Sequence, residues 1–198
     1  MRYLNQKNYR YIPYMHNLSN GGAPEDRRNV ATSGCGLCCM CMVVDRLTTQ
    51  TLELAECARM SEESGANHMP GTRLHILGPV AAQRYGLTYA EADSLEDVRK
   101  TLRAGGCAVL FAGGNKGDRV GLFTQNPNGH YVLLLSVDEE DDFCILDPNY
   151  DSEKFFVEGV RDKVKVSVPY LYCKGEVLEQ EVTDLAPPFY LFTKKKPE

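Results

Sequence analysis

Apolar residues follow two regimes along this chain. In the front half they recur at helical spacing; in the back half they gather into short runs separated by turn residues. The run from about Cys35 to Asp45 is apolar nearly all round, which predicts a central, buried helix. Thr48 to Met60 predicts a second helix, with threonines available as N-caps and Leu52, Ala55 and Ala58 near helical spacing. Thr72 is placed to cap a third, with Leu74, Leu77 and Ala81 on one stripe and Gly86 as its stop. Ser94 is placed to cap a fourth, Leu95 to Arg103, with Leu95, Val98 and Leu102 facing inward.

The period then changes. Cys107 to Ala112 and His130 to Val137 read as strands, separated by a long Gly- and Asn-rich loop, Gly113 to Gly129. Loops of that length in a compact domain tend to serve function, and this one leads straight into His130. An acidic turn, Asp138 to Asp142, connects to a returning strand, Phe143 to Asp147, so the pair forms a hairpin. Val164 to Val168 alternates like a half-buried strand, Glu176 to Leu185 predicts a short helix, and Phe189 to Thr193 a last strand. Helices first and antiparallel strands after them predict an α+β fold. We expect a single domain over 1–198: an N-terminal arm and loop (1–31), a helical part (32–104) and an antiparallel sheet part (105–198).

Composition narrows the function classes. The chain has 198 residues, 43% hydrophobic and 25% charged, enough to bury a core without metal or disulfide support. A net charge of −5 argues against nucleic acid as a partner. No stretch is long and apolar enough to span a membrane and the N-terminus lacks a signal-like run, so the expected location is the cytoplasm. Of the 8 cysteines, several lie inside apolar runs and read as reduced core residues.

One cysteine differs. Cys35 sits between Gly34 and Gly36 where a polar loop meets the apolar helix. A thiol in the first helical turn faces free N–H groups and the positive end of the dipole, which favour the thiolate. The hairpin supplies partners: the start of its first strand, His130, lies beside the end of its second, Asp147. A carboxylate fixes the tautomer and orientation of an imidazole. Cys35, His130 and Asp147 together make a nucleophile, a base and an orienting group.

Gly34-Cys35-Gly36 opening an apolar helix, followed by Gly129-His130-Tyr131-Val132 and Leu146-Asp147-Pro148, resembles the papain-like cysteine peptidases. The closer likeness is to the bacterial branch that includes the bacteriocin-leader (double-glycine) peptidases. It covers roughly residues 10 to 150. It implies a papain-like fold and a cysteine-dependent hydrolase of peptide or related amide bonds, with Cys35 as nucleophile, His130 as base and Asp147 as orienter. The implied partner is a peptide or protein substrate, with no cofactor and no metal. Two departures stand out. Relatives usually follow Cys-Gly with proline and a small hydroxyl residue, where this chain has Leu37-Cys38. They also carry a glutamine upstream, near a segment resembling Ile12-Pro13-Tyr14, that helps form the oxyanion hole. Counting along that segment puts Asn17 in its place, while Gln6, the only glutamine upstream of Cys35, stands too far from the proline for the usual spacing.

Three other readings compete. The fold can serve as a binding module with its chemistry lost. Cys35-Gly36-Leu37-Cys38 is a C-x-x-C motif, as in thiol–disulfide oxidoreductases, but that use needs a strand feeding into the motif, and Arg27 to Thr32 is a poor one. A zinc site at Cys35, Cys38, Cys39 and Cys41 fails on geometry, because neighbouring helical positions point about 100° apart.

Overall fold

The computed structural model describes residues 1–14, 27–68, 71–184 and 187–195. An N-terminal arm makes a 3-10 turn, Gln6–Asn8. A one-turn helix α1 (Val30–Ser33) leads through Gly34 into α2 (Cys35–Leu47). Then come α3 (Leu54–Glu63), the short paired strands β1 (Asn67–His68) and β2 (Gly71–Thr72), and α4 (Leu74–Arg84). Next are β3 (Leu87–Ala92), α5 (Leu95–Arg103), β4 (Cys107–Ala112), β5 (His130–Val137) and β6 (Asp142–Leu146). The chain closes with β7 (Lys165–Ser167), β8 (Tyr170–Lys174), α6 (Gly175–Glu181) and β9 (Phe189–Lys194).

Seven strands form one antiparallel sheet in the order β3-β9-β4-β5-β6-β8-β7. The α+β expectation holds, with one change: the helical front half also contributes β3, which pairs with β9 at the sheet edge. The central helix is as buried as its pattern demands. Every residue from Leu37 to Val44 is fully buried, and α2 packs chiefly against β5. Cys38, Cys39 and Cys41 are therefore part of its packing surface. Strand β5 is buried over its first six residues, which point alternately to both faces, so both faces of the sheet are covered there.

Local boundaries differ where side chains found other uses. Thr48 closes α2 rather than opening α3, since its N–H and its hydroxyl both donate to the Val44 carbonyl, at 3.0 and 2.9 Å. Thr72 is buried in β2, its hydroxyl 2.7 Å from the Tyr14 hydroxyl, and α4 starts two residues later. Ser94 caps α5 as expected, accepting from the Asp97 N–H at 3.2 Å. At the tip of the β5–β6 hairpin, Asp141 adopts a left-handed backbone (φ 64°), and both its carboxylate oxygens accept from Arg99 of α5 at 2.7 Å. The turn is thus clamped to the helix beside it.

Candidate active site

Cys35 is the first residue of α2. The first hydrogen bond after Gly34 runs from the Cys38 N–H to the Gly34 carbonyl at 2.9 Å, so the N–H groups of Cys35, Gly36 and Leu37 lie at the helix mouth, outside that ladder. The flanking glycines are explained by packing. A Cβ on Gly36 would stand 2.8 Å from the Thr72 Cβ, and one on Gly34 would meet the Val30 carbonyl oxygen at 2.5 Å. Glycine lets α2 bear directly on β2 and on the turn before it.

The β5–β6 register pairs Leu133 with Leu146. One step further, Asp147 comes level with Val132, and its side chain reaches diagonally to His130 on the same face. The contact is direct: His130 Nε2 lies 2.7 Å from Asp147 Oδ1, with His130 6% exposed and Asp147 fully buried. Nε2 therefore carries the proton donated to the carboxylate, and Nδ1 is left for Cys35, whose ionisation the neighbouring imidazole favours. The structure thus brings together the three residues that sequence spacing linked.

Each group alters the others. Burial pushes the Cys35 thiol up, but the hydrogen bond and charge of His130, with the N–H groups of Tyr131 and Gly36, bring it below its ordinary value. Burial pulls His130 down, yet the Asp147 charge and hydrogen bond, then the Cys35 contact, raise it to about 9. Burial also raises Asp147, and the charges of Lys154 and His130 overcome that and hold it far below the usual carboxylate range. By contrast, burial drives Cys38 and Cys39 well above the ordinary thiol value. Only Cys35 combines depressed pKa with access to the cleft, where it is half-buried. The C-x-x-C partner Cys38 is sealed in the core, and a helical turn, α1, precedes the motif where a redox fold needs a strand.

Cys35 and His130 open on a cleft of about 730 Å³, with Thr72 and Arg73 on one wall and Phe111, Tyr131 and Tyr190 among its aromatic lining. Of the Gly113 to Gly129 loop, the polar end from Thr124 to Gly129 borders it. Both of the loop's cations turn away: Arg119 pairs with the buried Glu181 of α6, and Lys116 with Asp184 at 2.7 Å. Gly129 adopts φ 81° and lies where a Cβ would strike the Phe111 ring, so only glycine delivers the chain to His130 this way.

Two features of the site escaped the sequence reading. Asn17 lies outside the described residues. Gln6, set aside on spacing, lines the cleft with Cys35 and His130. The N-terminal arm is stitched to the segment after β6: Tyr3 donates to the Asp147 carbonyl at 2.6 Å, the Gln6 N–H to the Pro148 carbonyl at 2.7 Å, and Asn5 Nδ2 to the Tyr150 carbonyl at 3.0 Å. Gln6 Nε2 donates to the Ala31 carbonyl at 2.9 Å, and the residue is only 5% exposed. The second feature is Lys154, whose ammonium meets Asp147 Oδ2 at 2.5 Å. No periodicity or motif marks it in the sequence.

Comparison with solved structures gives the fold. The peptidase domain of Streptococcus ComA, a bifunctional ABC transporter of a quorum-sensing pathway, superposes with a TM-score of 0.52 at 14% identity, over 82% of this chain and 93% of that one. A Bacillus anthracis protein described as a C39-like peptidase superposes with a TM-score of 0.53 at 18% identity, over 100% of both chains. No protein-family profile and no curated protein matches the chain.

Proposed function

For a chain with the papain-type fold of the C39-like peptidases, we propose a cysteine-dependent hydrolase of peptide or related amide bonds, with Cys35, His130 and Asp147 as its catalytic groups. The observation that carries this reading is the His130 imidazole held between a buried carboxylate and a thiol of depressed pKa at an open cleft. The Cys35 thiolate attacks the substrate carbonyl carbon, and the negative charge moves to its oxygen. The Cys35 N–H at the mouth of α2 and the second Nε2 hydrogen of Gln6 are the donors proposed for that oxygen. His130 Nδ1 gives its proton to the departing amine, leaving an acyl thioester on Cys35. Water then attacks the thioester with His130 as base, releasing the acid and regenerating the thiolate–imidazolium pair.

Turnover of a peptide library, read by mass spectrometry, tests this. We expect cleavage by the wild-type protein, none by Cys35→Ala, and an acyl adduct on Cys35 with slowly deacylating ester substrates. Cleavage that survives Cys35→Ala, or a wild-type protein that cleaves nothing and forms no adduct, overturns the proposal in favour of a binding module.

A further inference from the structure

We propose that Lys154 is a positioning residue of this site: its ammonium occupies the outer oxygen of the Asp147 carboxylate and so divides that charge between two cations, lowering the basicity of His130. The inference rests on the hydrolase reading above and concerns how that site is tuned.

The geometry is specific. Asp147 Oδ1 accepts from His130 Nε2 and from the Asn149 N–H, both at 2.7 Å, while Oδ2 accepts from Lys154 Nζ at 2.5 Å. Each oxygen thus holds one side chain, and the carboxylate is fixed from both sides. The chain folds back on itself to achieve this. The Tyr150 N–H returns to the Asp147 carbonyl at 3.1 Å, and the 3-10 turn Glu153–Phe155 starts from Asp151, whose side chain accepts from the Glu153 N–H at 3.1 Å. Phe155 is 1% exposed and stacks on Tyr150, and the Lys154 ammonium lies 5.2 Å from its ring centroid. That lysine is therefore held against a buried aromatic wall, its side chain only 19% exposed. Surface lysines of this type contribute little, but here the partner is wholly buried.

The electrostatic consequence follows from sign alone. A second cation on the same carboxylate opposes protonation of His130 and strengthens it as the acid that must protonate a leaving amine. The other groups around the pair are Cys35 and Cys39 from α2, Tyr3 from the arm, Tyr131 from β5, and Tyr150 and Asp151 from the returning segment. Among these described groups Lys154 is the one cation besides His130 that touches Asp147.

The test is the pH dependence of Cys35 alkylation by iodoacetamide in the full chain, for wild type, Lys154→Gln, Lys154→Met and Lys154→Arg. Glutamine keeps a donor without the charge; arginine keeps the charge. We expect the alkaline limb to move up by about one pH unit in both neutral variants and to return in the arginine variant. An alkaline limb unmoved in the neutral variants, with only the melting temperature lowered, overturns the inference and leaves the hydrolase reading intact. A wild-type profile with no reactivity below the ordinary thiol range removes the hydrolase reading itself.

Discussion

Asp147→Asn separates the shape of the buried carboxylate from its charge. The Asn Oδ1 keeps the place of the atom that accepts from His130 Nε2 and the Asn149 N–H. The amide NH₂, however, now faces the Lys154 ammonium where Oδ2 stood 2.5 Å away, so two donors meet. Asp147 is completely buried and Lys154 is 19% exposed, so the ammonium keeps little water to replace its lost counterion. Breaking a buried pair from one side costs about 3–5 kcal/mol, and the partial exposure of Lys154 places this variant at the lower end. With a urea slope of about 2 kcal/mol/M, a loss of about 3 kcal/mol lowers the unfolding midpoint by about 1.5 M. The decisive comparison is the cycle with Lys154→Met at pH 7. Once the ammonium is gone the asparagine meets no rival donor, so the double variant should be more stable than the two single losses sum to, by about 1.5 kcal/mol or more. Losses that add to within about 0.5 kcal/mol would refute the reasoning, because the two side chains would then not be coupled.

Gln6→Ala should lower peptide turnover by a factor on the order of 10²–10³ while leaving Cys35 alkylation nearly unchanged, since alkylation develops no oxyanion; steady-state kinetics beside alkylation rates separate the two. Gly36→Ala forces a methyl group to within 2.8 Å of Thr72 and disturbs the Tyr14, Ser61 and Thr72 hydroxyl chain, so its denaturation curve should show a loss of about 1–3 kcal/mol. His130 is raised from 6.5 to about 9 in the folded protein, so its contribution to stability is complete below the unfolded value and is lost as pH rises through the folded one. In Cys35→Ala, where the lowered thiol no longer contributes with the opposite sign, urea midpoints should fall as pH rises above about 6.5, and adding His130→Gln should flatten that fall.

The sequence was legible where local chemistry and burial agree. Helix α5 has a Ser94 cap and three inward apolar residues, and strands β4 and β5 are continuous apolar runs because both faces are covered. Strand β3 was not legible. It is an edge strand with only Leu87 buried, and Thr88, Ala90 and Glu91 face solvent, so it carries no alternation to read. Strand β8 does alternate, with Leu171 and Cys173 buried, but it follows Pro169, which reads as an interruption. For the site, His130 and Asp147 were legible because a hairpin fixes which ends meet. Gln6 was not, because its place is set by the segment after β6 rather than by its distance from Pro13. Lys154 depends on a loop closing back onto the carboxylate seven residues before it, a geometry without sequence period.

The central claim is a thiolate held ready by His130. The most direct measurement is the rate of iodoacetamide alkylation at Cys35, located by mass spectrometry, across pH for wild type and His130→Ala. The account predicts that Cys35 reacts faster than free cysteine below pH 7, where an ordinary thiol of pKa about 8.5 is protonated, and that His130→Ala abolishes the advantage. A Cys35 that reacts no faster than free cysteine there, and no differently without His130, would contradict it.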